Sequence, residues 1–127
     1  MIRFFIIIFI LFSFNAYTHD ISDDYQENRD PALIIRFNQA HVYYDSSLKL
    51  VINKALKINK NAEFMIESLI PQIKDKEKQA ILVQMANNNS NAVIYSFRKF
   101  GINPQNIKVE NILSSKVTYH ELHIYMM

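Results

Sequence analysis

Two periods alternate along the chain. Leu33, Ile35 and Phe37 fall on every second position, which predicts a β-strand with one apolar face. Asn38-Gln39-Ala40 interrupts the alternation, and Val42-Tyr43-Tyr44 extends it. The period then changes. Leu48, Val51, Ile52, Ala55 and Leu56 recur at the spacing of one helix face, and Lys49, Lys54, Lys57 and Lys60 cover the rest. Asp45 or Ser46 is expected to cap this helix, and Asn61 to let the chain leave it in a left-handed turn.

Alternation returns from Ala62 to Ile70, where Phe64, Ile66 and Ser68 oppose Glu63, Met65 and Glu67. Pro71 is expected to end this second strand, because proline cannot donate to a ladder. After a charged connection, Lys76 to Phe100 reads as helical. Ala80 to Ala86 is apolar, and Val93, Phe97 and Phe100 share a stripe. Asn87 to Asn91 lies between these halves and is poor for helix, so one helix and two broken pieces both fit. Arg98-Lys99-Phe100-Gly101, with Pro104 three residues on, is a full set of helix-stop signals. Ile107 and Val109 mark a third strand, Ser114-Ser115 a turn, and Thr118 to Met126 a fourth strand.

The order β-α-β-α-β-β predicts an α+β fold. It is a two-layer sandwich with two helices packed on one face of a mixed four-stranded sheet. The opposite face would carry Arg36, Glu67, Lys108, Glu110, Glu121 and His123. Their charge predicts that this face is wetted, and it is the expected partner-facing surface.

The N-terminal residues follow a different logic. One arginine, Arg3, precedes an apolar run from Phe4 to Phe14. About eleven residues is short of the roughly twenty that span a bilayer, and the run has no polar face. The pattern is that of a secretory signal peptide over residues 1–18, cleaved near Ala16 to Thr18. Residues 19–31 hold five acidic residues against Arg29 and few large apolar ones, which predicts a flexible polar leader. The folded domain is expected over residues 32–127, in the periplasm or secreted, with no membrane span once the signal is removed.

Composition narrows the chemistry. The 127 residues include 14 basic and 12 acidic side chains, for a net charge of +2, which argues against a dedicated nucleic-acid binder. The absence of cysteine excludes disulfides, thiolate metal sites and thiol nucleophiles. A single glycine cannot write a phosphate-cradling loop or a dinucleotide fingerprint. His120 and His123 are three apart on a strand and so point to opposite faces, which does not make a metal site. No cofactor is expected. The serines have no nucleophile-elbow context. Tyr43, Tyr44, Tyr95, Tyr119 and Tyr125 are expected as sheet and core aromatics.

Three stretches resemble the OmpA-like C-terminal domain of bacterial envelope proteins. They are Ile34 to Leu56, then Ala92-Val93-Ile94-Tyr95-Ser96-Phe97-Arg98-Lys99-Phe100-Gly101-Ile102 with the following Asn106-Ile107-Lys108-Val109, and last Glu121-Leu122-His123-Ile124-Tyr125. The middle stretch is similar to the family's second helix, Arg-Ala-x-x-Val ending in Gly-Ile or Gly-Val. The resemblance implies the two-layer fold above and peptidoglycan as a ligand, with Pro71, Asn88 and Asn91 at the ligand-groove positions. Peptidoglycan-binding members use an aspartate after the second strand and the arginine of Arg-Ala. Here the second strand runs into Ile70-Pro71, and Asn91 precedes Ala92. A zwitterionic amino-acid end needs an anion and a charge-assisted cation, so this chain departs where that grip would be.

The expected function is therefore that of an exported, non-catalytic envelope domain, not an enzyme. It would dock to another envelope protein within a secretion or tethering assembly, with peptidoglycan binding weakened or lost. Two alternatives remain open. One is a small periplasmic wall-modifying hydrolase using Glu121 and His123, which share a face. The other is a peptidoglycan-binding anchor with a non-standard site.

Overall fold

A computed structural model describes residues 30–127. The expected signal peptide (1–18) and nearly all of the expected leader (19–31) lie outside the described residues. The elements are β1 (Leu33–Arg36), α1 (Asp45–Ile58), β2 (Phe64–Pro71), α2 (Lys76–Lys99), a 3-10 turn (Pro104–Asn106), β3 (Ile107–Ser114) and β4 (Glu121–Met126). This is the α+β arrangement of two helices and one mixed four-stranded sheet. The strand order is β1-β4-β2-β3. β4 runs antiparallel to both β1 and β2, and β2 runs parallel to β3.

Alternation decides what each face buries. Ile35, Phe64, Ile66, Leu122 and Ile124 point to one side and join Leu48, Ile52 and Ala55 of α1 with Val93 and Phe97 of α2 in a single core. Both helices thus cover the same sheet face. Phe64 and Phe97 meet edge to face across the sheet–helix interface, ring centroids 5.0 Å apart.

α2 is one helix of 24 residues, and the asparagines do not break it. Ala86, Ser90, Val93 and Phe97 are buried at i, i+4, i+7 and i+11, so one continuous stripe is pinned to the sheet. Asn87, Asn88 and Asn91 turn to solvent. Each asparagine costs roughly 0.7 kcal/mol of helix propensity, less than the packing of the stripe returns. The N-terminus is capped by Asp75, whose carboxylate accepts from the Glu77 and Lys78 amides at 2.9 and 3.2 Å. At the other end Gly101 has φ +101°, its N–H donates to Arg98 O, and Ile102 N–H donates to Phe97 O. These are the two hydrogen bonds of a Schellman stop.

Several local expectations are corrected. Val42, Tyr43 and Tyr44 do not extend β1; residues 37–44 form an irregular connection. α1 has no side-chain cap: its N-cap position is Tyr44, and Asp45 lies inside the first turn. The Asp45 carboxylate instead accepts from Ser96 Oγ (3.0 Å) and Lys99 Nζ (2.9 Å), tying the start of α1 to the end of α2. Those donors hold the Asp45 pKa below its ordinary value. The chain leaves α1 through Asn59 in extended conformation rather than a left-handed Asn61. β4 starts at Glu121, not Thr118. Tyr43, Tyr95 and Tyr119 are exposed rather than packed in the core, whereas Tyr125 is buried.

Pro71 is the last residue of β2, as its chemistry demands, and it costs no ladder bond. Gln72 N–H donates to Ser114 O, so even-numbered residues of β2 point their backbone groups at β3 and odd-numbered ones at β4. β4 pairing reaches only to Leu69, so nothing on that side would have accepted a bond from residue 71.

Candidate functional site

The connection 37–44 lies against the middle of α2, and a groove of about 410 Å³ opens between them. Phe37, Gln39, His41, Tyr43 and Tyr44 supply one wall. Met85, Asn89 and Ala92 supply the other, at i, i+4 and i+7 of α2. None of the lining residues carries a carboxylate, ammonium or guanidinium group. An adjoining depression of about 460 Å³ shares Val42, Tyr43, Tyr44 and Ala92 and adds Asp45, Ser46, Ser47, Tyr95 and Ser96.

Asn89 is held from behind. Its Nδ2 lies 3.2 Å from His120 Nδ1, and His120 Nε2 lies 2.7 Å from Ser68 Oγ. Phe37 stacks on the imidazole at 5.1 Å, with the planes 19° apart. His120 is 9% exposed, and Ser68 is fully buried on the core face of β2. Burial pushes the His120 pKa down to about 4, against a weaker opposing pull from Glu121, so the ring is neutral near neutral pH. When Nδ1 accepts from the Asn89 amide, the ring proton sits on Nε2 and is donated to Ser68. That hydrogen-bonded line fixes the Asn89 amide and leaves its Oδ1 as an acceptor in the groove wall.

The Ser68–His120–Asn89 line has the residue types of a nucleophilic triad but not its access. A hydroxyl with no exposed surface meets no external carbonyl, and an imidazole whose proton affinity has been lowered is a weak general base. Its work is structural.

The residues singled out from sequence fall in three places. Asn88 and Asn91 are exposed on α2 and flank Asn89 rather than line the groove, and Pro71 stands at the end of β2. Arg36, Glu67, Glu110, Glu121 and His123 do share the sheet face away from the helices. Glu121 receives Arg36 Nε at 3.3 Å and bonds His123 Nε2 at 2.8 Å. The register sets Glu67 opposite His123 on one side and Glu110 on the other. This face is less wetted than its charges predict. Arg36 and Lys108 are exposed, but Glu67 is 2% exposed and Leu69, Ile112 and Tyr125 are buried with it. Among the described residues, no group of three or more histidines and carboxylates could hold a metal ion.

Sequence reasoning missed Asn89, His120 and Ser68 as a unit. The available signal was a serine at an inward position of a strand, which needs a buried partner. The chain matches no known protein-family model and no characterised protein.

Proposed function

We propose that this chain is an exported, non-catalytic domain of the OmpA-like type that binds another envelope protein through the groove between residues 37–44 and α2. One observation carries the reading: the groove is lined by aromatic rings, an imidazole, a methionine, amides and hydroxyls, with no carboxylate, ammonium or guanidinium group. Tyrosine and methionine surfaces of this kind suit a peptide segment, whose backbone amides can pair with Asn89 and whose side chains pack on the rings. The β-α-β-α-β-β order and the glycine stop after the second helix support the OmpA-like assignment. The lack of a carboxylate and a guanidinium in the groove also supports a loss of the ion-paired grip on peptidoglycan, since Asn89 offers hydrogen bonds and no charge. Export rests on the N-terminal sequence. No helix among the described residues is long and apolar enough to cross a membrane.

The test compares the wild-type chain with Asn89→Asp and Tyr43→Ala in affinity capture from the native envelope fraction. Capture of the same protein by wild type, and its loss by more than tenfold in both variants, is the expected outcome. Saturable binding of wild type to peptidoglycan sacculi with no protein captured would replace this reading with the wall-anchor one. The hydrolase alternative draws on the Glu121–His123 hydrogen bond, and cleavage of wall material that disappears in Glu121→Ala would establish it instead.

A further inference from the structure

The sheet has two edges, and they differ. β1 is four residues long. β3 is eight, and among the described residues no strand pairs with its outer side. An edge of that length presents a row of backbone donors and acceptors to any other strand. Which groups it presents follows from the ladder. Ser114 O accepts from Gln72 N–H, so residues 108, 110, 112 and 114 aim their backbone groups at β2. Residues 107, 109, 111 and 113 therefore aim theirs outward.

We infer that β3 pairs antiparallel with β3 of a second copy of this chain, on a twofold axis at Val109, joining two sheets into one of eight strands. The inference stands apart from whatever fills the groove. Outward groups must meet outward groups, so odd-numbered residues oppose odd-numbered ones, and four twofold centres give an overlap of at least five residues within the strand: 109, 110, 111 and 112, the last setting Glu110 against Ser114 and Ile112 against itself. A centre at 110 sets Glu110 against Glu110 of the other copy and Lys108 against Ile112. A centre at 111 sets Lys108 against Ser114 and Glu110 against Ile112. A centre at 109 sets Lys108 against Glu110, twice by symmetry, on the face away from the helices. These are non-hydrogen-bonded pairs, where side chains stand closest and opposite charges stabilise most.

The same register sets Val109 against Val109, and Val109 is 40% exposed in the single chain. It also offsets a device that guards this edge, the exposed Lys108, by giving it a carboxylate to meet. The contact is isologous and closes, so it makes a dimer and not a fibre. The 3-10 turn at Pro104–Asn106 limits the overlap to residues 107–111 of each copy, which predicts a weak, salt-sensitive dimer.

Sedimentation of the purified full-length protein over a concentration series tests it. The wild type is expected to dimerise reversibly, and less so as salt is added. Lys108→Glu alone and Glu110→Lys alone each set like charges opposite one another and should leave monomer, with folding checked by circular dichroism. The double variant restores opposite charges and should restore the dimer. A wild type monomeric throughout, or a double variant that stays monomeric while folded, would overturn the inference. Because the chain has no cysteine, Val109→Cys gives an independent readout. It should cross-link to itself through a short bifunctional thiol reagent, whereas Ile58→Cys, on the exposed end of α1, should not. Equal cross-linking at the two positions counts against the register.

Discussion

Ser90 faces the core from the middle of α2 with 4% of its surface exposed, and its Oγ finds no hydrogen-bond partner among the described residues. A buried hydroxyl left in that state costs free energy, and serine is also a poorer helix former than alanine. Ser90→Ala is therefore expected to stabilise the fold by about 1 kcal/mol, measured as a rise in the denaturant midpoint at unchanged slope. A fall in the midpoint would mean that the hydroxyl is satisfied after all. Ser68 has the same side chain, also buried, and the opposite situation, because His120 lies 2.7 Å from its Oγ. Both serines sit at inward positions of their elements and look alike in sequence. What separates them is a residue 52 positions away from one of them.

The elements are held by their ends as much as by their faces. α2 carries a cap at Asp75, acidic Glu77 in its first turn, basic Arg98 and Lys99 in its last, and a glycine stop; the stop is read from the sequence, whereas the cap at Asp75, equally local, falls in the stretch read as a charged connection. Gly101 has φ +101°, and a Cβ added there would meet nothing within 4 Å. The cost of Gly101→Ala is then backbone strain without a clash, about 1 to 2 kcal/mol. Thermal unfolding should show it as a lowered midpoint, and an unchanged midpoint would show that the turn relaxes. α1 is the contrast. Neither expected cap, Asp45 or Ser46, serves: the N-cap position is Tyr44, and the Asp45 carboxylate accepts from Ser96 and Lys99, partners contributed by α2. A carboxylate at a helix start reads as a cap until a distant ammonium and hydroxyl compete for it.

At the scale of the molecule, a buried ring ties part of the stability to pH. The His120 pKa is about 4 in the fold, below the ordinary value of 6.5, so the unfolded chain takes up the proton first. The stability linked to neutral His120 is fully present above the ordinary value and is lost as pH falls toward the folded one. The difference is worth about 3 kcal/mol at most. His120→Gln keeps a neutral hydrogen-bonding side chain and removes the titration. Its unfolding free energy should change less between neutral pH and about pH 4 than that of the wild type, by roughly 2 to 3 kcal/mol. Matching pH profiles would place the acid sensitivity elsewhere. Hydrophobic periodicity by itself determined the kind and order of the elements and the apolar stripe each one turns to the core, because period and turn chemistry act over a few residues. Tertiary structure alone decided the sheet order β1-β4-β2-β3, the unbroken α2 through its asparagines, and the choice of Asn89 over Asn88 and Asn91 as the groove residue. These depend on which distant side chain arrives opposite a given position, and a contact between residues far apart in the chain leaves no period to read.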